Sequence, residues 1–225
     1  MRTDMAFDAR TSCKCCAFRH SPYIPIVHEL LERALCERNS KKEFMDSNTF
    51  TTSIQGIKSV WGPLGDSVVA GCQRHLGRLL KAPDTEDWLA ALHKDAPANR
   101  ELYRDPTHGF MLLAHSEYAG LYRPPHDHGR GWVIYAIQQG EIEMRSYAQI
   151  LKLDGSVELV MRDSTVMQPG QVQLYLPGDI HDTRCVKGPA LLFRFTERDL
   201  KQEDKEEHRV TRYVEKDGAW TLGTP

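Results

Sequence analysis

Two histidines one residue apart, His126 and His128, lie in the stretch "RPPHDHGRGWVIYAIQQGEIE", residues 123–143. In an extended chain, residues i and i+2 point to the same side, so both imidazoles can reach one point. The preceding Pro124 and Pro125 exclude a helix and favour extended backbone. This spacing is compatible with two ligands of one metal ion, and equally with two imidazoles on a loop.

A third histidine is a further candidate ligand. His181 lies 53 residues after His128 in "YLPGDIHD", where Pro177 and Gly178 predict a tight turn that delivers His181 to the start of the next strand. Three imidazoles from two neighbouring strands would form one face of an octahedron. That arrangement suits iron(II), manganese, nickel or copper, with open positions for a substrate and oxygen. The three histidines are therefore candidate metal ligands and catalytic residues.

The elements that must position these histidines are indicated by the apolar spacing. Residues 25–95 have a helical pattern, as in "PIVHELLERALCER" and in the face formed by Val68, Val69, Cys72, Leu76, Leu79 and Leu80. A short helix is predicted after Asp84 and Thr85, which are suitable caps for "EDWLAALHKD". The Pro-containing segment "KDAPANRELYRDPTHG" then separates these helices from the C-terminal half of the chain.

From Phe110 onward the pattern predicts strands. Short runs rich in β-branched and aromatic residues are separated by turn residues: "GFMLLAH", "WVIYAIQ", "EIEMRSYAQILKL", "SVELVMR", "QVQLYLP" and "ALLFRFT". Asp154–Gly155 and Asp217–Gly218 suit two-residue hairpin turns. Six or more short strands of this kind indicate a sandwich or a small barrel. The charged run "TERDLKQEDKEEH" is predicted to be a solvated connection.

Composition limits the function classes. The chain of 225 residues has 29 basic and 31 acidic residues, so it carries no strong charge that would attract nucleic acid or an anionic membrane. No apolar run approaches the roughly 20 residues that cross a bilayer, and the N-terminus lacks a signal-peptide core. We therefore expect a cytoplasmic protein whose partner is a small molecule.

Six cysteines in an intracellular chain of this size do not predict a disulfide framework. The cluster "CKCCAFRH" offers Cys13, Cys16 and His20 as zinc ligands, but no second pair lies at a finger-like spacing. The favoured interpretation is a flexible N-terminal tail over residues 1–22 with incidental thiols. Cys185, four residues after His181, is expected to be a buried, inert thiol.

The two histidine motifs, with Gly140 between them, resemble the two motifs of the cupin superfamily, whose fold is a double-stranded β-helix. In the first cupin motif a glutamate usually follows the second histidine by four or five residues, whereas this chain has Trp132 and Val133 there. Over roughly residues 76–196 the sequence resembles the cysteine dioxygenase family of thiol dioxygenases. That resemblance implies iron(II), Fe(II), held by His126, His128 and His181, with O₂ and a small organic thiol as substrates.

The resemblance also has a gap. Members of that family commonly carry a Ser, His, Tyr triad, with its His and Tyr on the strand after the third ligand, and simple alignment leaves Leu192, Arg194 and Thr196 at the corresponding places. Arg194 could hold a substrate anion if its side chain points inward. Alternation slightly favours the opposite, with Leu191, Phe193 and Phe195 filling the interior.

Other candidate substrate contacts each have a structural alternative. Arg100 and Arg104 lie near the place where the family meets a substrate carboxylate, and either could instead form a surface ion pair. Trp132 and Tyr135 flank the entry strand and could equally fill the barrel. His108, His115 and His208 have no partner spacing and are expected to be ordinary.

These observations predict a mainly β fold, a cupin double-stranded β-helix barrel with an N-terminal helical extension. The expected organisation is a tail over 1–22, a helical cap over 23–98, and a barrel with a C-terminal hairpin over 99–225. The predicted function is a non-heme iron(II) dioxygenase of the thiol type. The alternatives are another cupin metalloenzyme acting on a small organic acid, either a ring-cleaving dioxygenase or an isomerase, and a small-molecule-binding cupin.

Overall fold

The computed structural model describes residues 48–153, 156–216 and 218–223. The predicted tail, the zinc candidates Cys13, Cys16 and His20, and the first predicted helix lie outside these residues. No helix in the described part of the chain is long and apolar enough to cross a membrane.

Within residues 48–99, three helices precede the sheet: α1 (Thr49–Val60), α2 (Asp66–Leu79) and α3 (Asp87–Asp95). The Asn48 side chain caps α1 by accepting a hydrogen bond from the Thr51 N–H at 2.8 Å. The predicted cap of α3 was wrong, since its N-cap is Glu86 and not Asp84 or Thr85. The Glu86 carboxylate does not cap its own helix; it accepts hydrogen bonds from Thr49 at the start of α1 and so ties α1 to α3.

The described residues after α3 form nine strands, in chain order β1 (Arg100–Arg104), β2 (Met111–Glu117), β3 (Tyr122–His126), β4 (Val133–Leu151), β5 (Val157–Met167), β6 (Val172–Tyr175), β7 (Ile180–Thr196), β8 (Tyr213–Lys216) and β9 (Ala219–Leu222). All pairings are antiparallel. The predicted strands are present. β1 is an addition, because its residues lie in the segment interpreted as a connection.

The long strands β4 and β7 each take part in two layers. The half of β4 that begins at Val133 pairs with the half of β7 that ends at Thr196. In this layer β6 pairs with β4, β2 pairs with β7, and β1 pairs with β2. The other halves of β4 and β7, which include Ser146 paired with His181, continue into β5 and β3. Two antiparallel layers that share two bent strands make a double-stranded β-helix, and the predicted mainly β fold with N-terminal helices is confirmed.

Gly140 marks the bend of β4. The pairing register between β4 and β7 shifts on both sides of this residue, and its φ is +79°, in the left-handed region. A Cβ at this position would lie 2.6 Å from the Ala190 Cα, so the two bent strands approach closely here. Gly140 therefore lies inside one long strand rather than closing a short one.

Helices α1 to α3 cover the outer face of the first layer. Ile134, Ala136, Phe193 and Phe195 belong to the same buried cluster as the apolar side chains of these helices. Trp61 at the end of α1 stacks against Trp132, with ring centroids 5.9 Å apart. Burial of an apolar sheet face on one side leaves the alternate residues of the same strands for the barrel interior.

The charged run after β7 is not a solvated connection, and that prediction was wrong. It forms helix α4 (Leu200–Glu207), whose N-cap Asp199 accepts hydrogen bonds from the N–H groups of Lys201 and Gln202. Leu200 and Glu203 on α4 are buried, and Glu203 accepts a hydrogen bond from Arg130 at 2.8 Å. The helix therefore packs on the loop after His128.

The C-terminal hairpin is present as predicted. Lys216 pairs with Ala219, so two residues form the turn, and Gly218 has a φ of +76°. The other predicted hairpin joins β4 to β5, where Leu151 pairs with Val157. Its turn residues Asp154 and Gly155 lie outside the described part of the chain.

Candidate metal centre

The structure brings the three predicted histidines together. His126 ends β3 and pairs directly with His181 of β7, so their side chains lie on the same face of the layer. Ring centroids are 5.3 Å apart for His126 and His128, 4.7 Å for His126 and His181, and 4.9 Å for His128 and His181. One ring nitrogen from each lies within 4.8 Å of those of the other two.

A tight turn positions His181, as the sequence predicts. The Asp179 N–H donates to the Leu176 carbonyl at 3.0 Å, and Gly178 has a φ of +81°. Pro177 then Gly178 is the residue order of a type II turn. The Asp179 carboxylate accepts from the Leu176 N–H at 2.7 Å and closes the turn from the other side.

Asp182, beside His181, fixes the strands that carry the histidines. Its buried carboxylate accepts two hydrogen bonds from Arg145, at 3.0 and 2.7 Å. It also accepts from the hydroxyls of Tyr122 at 3.0 Å and Tyr147 at 2.7 Å. One carboxylate therefore connects β3, β4 and β7 next to the third histidine.

The imidazoles have nitrogen atoms free for a ligand. His126 Nδ1 lies 2.8 Å from the Pro124 carbonyl, which can only accept, so Nδ1 carries the proton and Nε2 keeps a lone pair. Both ring nitrogens of His181 and Nδ1 of His128 are buried without a hydrogen-bond partner in the described residues. Unpartnered nitrogens of this kind, converging from three rings, fit a metal ion.

Burial keeps these rings neutral. Desolvation, together with the nearby charges of His126 and Arg194, lowers the pKa of His128 to about 2. Desolvation likewise lowers the pKa of His181 far below its usual value, and it lowers that of His126. A neutral imidazole is the form that binds a metal.

Two tyrosines hold the rings in place. The Tyr175 ring stacks on His181 with centroids 3.9 Å apart and an interplanar angle of 21°. The Tyr135 hydroxyl lies 3.4 Å from His128 Nε2. Burial raises the pKa of Tyr135, so this hydroxyl stays protonated. Tyr135, one of the predicted substrate contacts, thus lies beside the metal centre.

His126 and His128 line a cavity of about 560 Å³, whose walls also include Tyr135 and Arg194. Arg194 pairs in register with Tyr135 of β4, so both side chains lie on the interior face. The expectation that alternation turns Arg194 outward was wrong. Phe193 and Phe195 lie under the helices instead, because α1 to α3 cover that face of β7 with an apolar surface.

The remaining predicted substrate contacts are placed outside this cavity. Arg100 forms an ion pair with Asp95 at 3.0 Å, and Arg104 pairs with Glu101 at 2.9 Å and Asp199 at 2.8 Å. Trp132 is buried in the cluster beneath the helices. The two arginines thus form surface ion pairs and Trp132 fills the core, and none of the three lines the cavity.

Two cavity residues on β2 had no functional interpretation at the level of sequence. His115 was expected to be ordinary, yet it lines the cavity, and its Nε2 is buried without a partner in the described residues. Glu117, which is 3% exposed, lines it too and accepts a hydrogen bond from Arg123 at 2.9 Å. Their spacing of two residues is the available signal, since it places both on one face of a strand.

The C-terminal segment forms another wall. Leu200, Lys201 and Asp204 of α4, and Val210, Arg212, Tyr213 and Val214 beyond it, line the cavity. Arg212 is held by Asp204 at 2.7 Å. Cys185, in contrast, is buried in an apolar cluster and donates a hydrogen bond to the Glu117 carbonyl at 3.7 Å.

No family model and no curated protein matches the chain. Several solved structures are similar. The cupin domain of Cnp3 from Schizosaccharomyces pombe is 16% identical, over 48% of this chain and 68% of its own, with a TM-score of 0.36. KdgF from Halomonas sp. is 17% identical, over 44% of this chain and 74% of its own, with a TM-score of 0.34. The DMSP lyase DddQ from Ruegeria pomeroyi DSS-3 is 22% identical, over 48% of this chain and 50% of its own, with a TM-score of 0.36.

Similarity at these levels assigns no activity to this chain. The fold assignment rests on the pairing of β4 and β7 with their neighbours, and the functional assignment rests on the side chains that meet in the cavity.

Proposed function

We propose that this protein is a non-heme iron(II) dioxygenase that adds O₂ to the sulfur of a small, anionic organic thiol. One observation carries the proposal: three imidazoles converge, and two of them, His126 and His128, line the same cavity as Arg194. Three nitrogen ligands on one face of a metal leave positions open for a substrate and O₂. We place the protein in the cytoplasm, with a small molecule as its partner.

Iron(II) would be held by His126, His128 and His181. Bound iron(II) would supply the centre that takes the thiolate and activates O₂, so that both oxygen atoms end on sulfur. His126 contributes Nε2, because its Nδ1–H is engaged by the Pro124 carbonyl. Neutral ligands leave the site with a net positive charge that favours an anionic substrate.

Arg194 orients the substrate. Its Nε is buried and has no hydrogen-bond partner in the described residues, while another part of the guanidinium interacts with the Tyr135 hydroxyl. A guanidinium presents a planar fork of donors that matches a carboxylate. A thiol acid bound through its sulfur at the histidines would therefore place its carboxylate at Arg194.

Tyr135 keeps a proton at the centre. Its protonated hydroxyl lies beside His128 and pairs in register with Arg194 on the neighbouring strand. It can donate a hydrogen bond to a ligand atom that carries developing negative charge.

A second candidate is another cupin metalloenzyme, a ring-cleaving dioxygenase or an isomerase acting on a small organic acid. The observation that favours it is the absence of the thiol dioxygenase triad, because Leu192, Arg194 and Thr196 occupy its places. In that case Tyr135 would serve as the proton donor to a substrate oxygen.

The test is oxygen uptake by protein loaded anaerobically with iron(II). The thiols offered are cysteine, cysteamine, 3-mercaptopropionate and mercaptosuccinate, with elemental analysis of the protein as isolated. We expect bound iron and uptake that depends on the thiol, greater for the thiols with a carboxylate than for cysteamine. Bound iron with no uptake on any thiol would reject the proposal and favour the second candidate.

A further inference from the structure

His115 and Glu117 form a second polar surface in the cavity, which the metal centre does not use. They are two residues apart on β2, and their register partners on β7 are Leu192 and Ala190. Leu112 and Ala114 point the other way, into the cluster beneath the helices. The strand therefore presents His115 and Glu117 to the interior.

The tautomer of His115 is set by its one hydrogen bond. Its Nδ1 lies 3.1 Å from the Ala98 carbonyl, and a carbonyl can only accept. Nδ1 therefore carries the proton and Nε2 is an acceptor. That acceptor is buried and has no partner in the described residues. Burial also lowers the pKa of His115 to about 3, so the ring stays neutral.

Glu117 adds a second acceptor. Its Oε1 is bound by the Arg123 Nε at 2.9 Å, whereas Oε2 is buried and has no partner among the residues that the structure describes. A buried polar atom without a partner is costly unless a ligand or water meets it. Two such acceptors on one face of one strand therefore call for a donor from the ligand.

We infer that His115 Nε2 and Glu117 Oε2 form a subsite for a hydrogen-bond donor, and that the ligand is a small acid carrying an amino or hydroxyl group besides its anion. Arg194 lies on the neighbouring strand β7, where its register partner on β2 is Leu113. The cavity thus offers donors from β7 and acceptors from β2. The inference rests on the proposed function in one respect: it assumes that the ligand's thiol binds at the histidines.

The test compares ligands that differ in this one group. Anaerobic calorimetry on the iron(II)-loaded protein would measure affinity for 3-mercaptopropionate, which has no extra donor, for 3-mercaptolactate, which has a hydroxyl, and for cysteine, which has an ammonium. We expect a donor-bearing ligand to bind about tenfold more tightly, because it satisfies acceptors that are otherwise buried and unpaired. Lactate against propionate repeats the comparison without a thiol.

Variants assign the preference to β2. His115→Leu should reduce the preference for donor-bearing ligands to less than about twofold. His115→Gln, with an amide oxygen near the position of Nε2, should restore much of that preference. Glu117→Gln distinguishes the two donors, since loss of its charge weakens an ammonium more than a hydroxyl. Ser116→Ala, between them on the opposite face, is the matched control and should change nothing.

Thermal unfolding of each variant verifies that it folds. Equal affinity of the wild type for all three thiol acids would overturn the inference, as would an unchanged preference in both His115→Leu and Glu117→Gln. The proposed function fails separately, through absence of thiol-dependent oxygen uptake. Because binding is measured without turnover, a donor preference in the lactate pair would still support the subsite in that event.

Discussion

Asp127 and Thr211 hold each other by two backbone-directed hydrogen bonds. The Thr211 N–H donates to Asp127 Oδ1 at 2.8 Å, and the Asp127 N–H donates to the Thr211 carbonyl at 3.0 Å. Oδ1 also accepts from the Gly129 N–H at 2.9 Å. The residue between the two histidines of the first motif thus fixes both the ligand loop and the C-terminal wall of the cavity.

Replacing Asp127 should loosen the metal centre. Asp127→Ala removes the acceptor for two backbone N–H groups, and we expect it to lower the free energy of unfolding by about 1–3 kcal/mol and to weaken iron binding about tenfold. Asp127→Asn keeps an oxygen at the same place and should retain most of the stability and most of the iron affinity. Urea unfolding and metal titration measure the two effects. Equal losses in the two variants would show that the charge, rather than the hydrogen bonds, matters.

The three-histidine centre makes a prediction about metal content. His181→Ala removes one of three ligands from a buried site, and we expect little iron after anaerobic loading and gel filtration, measured by elemental analysis. Cys185→Ser, four residues along the same strand, should keep the wild-type iron content, because Cys185 lies in an apolar cluster. Full iron content in the His181 variant would contradict the three-histidine model.

Arg194 should determine the affinity for an anionic substrate. We expect Arg194→Leu to raise KM for a thiol acid between about tenfold and a hundredfold, since a charge-assisted pair is lost, with a smaller change for cysteamine, which lacks a carboxylate. Steady-state oxygen uptake measures both. Arg104→Ala is the control, because its ion pairs lie outside the cavity. A comparable rise of KM in the Arg104 variant would contradict the assignment of Arg194 as the residue that binds the substrate anion.

His115 predicts how stability depends on pH. Burial lowers its pKa to about 3 in the folded protein, whereas an unfolded histidine titrates near about 6.5. Between these values the unfolded chain binds a proton that the folded chain does not. The contribution of His115 is therefore fully present above about pH 6.5 and declines as the pH falls.

The measurement is urea unfolding of the wild type and His115→Gln at about pH 7, 6 and 5. For each pH unit below about pH 6, the free energy of unfolding of the wild type should fall by up to roughly 1.4 kcal/mol more than that of the variant. The shared titration of carboxylates cancels in the difference. Parallel curves would show that His115 takes up its proton in the folded state.

The bend of β4 predicts a contrast between two glycines. Gly140→Ala meets both a positive φ of +79° and the Ala190 backbone at 2.6 Å, and should lower the free energy of unfolding by about 3 kcal/mol or more. Gly170→Ala has a φ of +89° and open space around it, and should cost only about 1–2 kcal/mol for the backbone conformation. Similar losses in the two variants would show that the strands separate to admit a methyl group.

The sequence predicts the metal ligands because their chemistry is local. Proline fixes extended backbone before His126, and a Pro-Gly turn precedes His181, but it is the pairing of β3 with β7 that brings these rings together. The strands from Phe110 onward are likewise predicted by alternation and turn residues. Iron, O₂ and a thiol came from resemblance and remain part of the proposal.

The orientation of Arg194 could not be predicted in this way. β7 is apolar on both faces, with Leu192 towards the interior and Phe193 towards the helices, so alternation does not tell which face is inside. Helix α4 was missed for a related reason. Its buried Glu203 is paired with Arg130, 73 residues away, and a distant partner is invisible in the local pattern.

The alternation of Phe193, Arg194 and Phe195 under the helical layer limits how this protein can evolve. A single residue inserted or deleted between His181 and Arg194 would exchange the faces of the strand, moving a guanidinium into the apolar layer and a phenyl ring towards the metal, unless a bulge absorbed it. New ligand preferences can therefore arise by replacing side chains on β7 more readily than by changing its length.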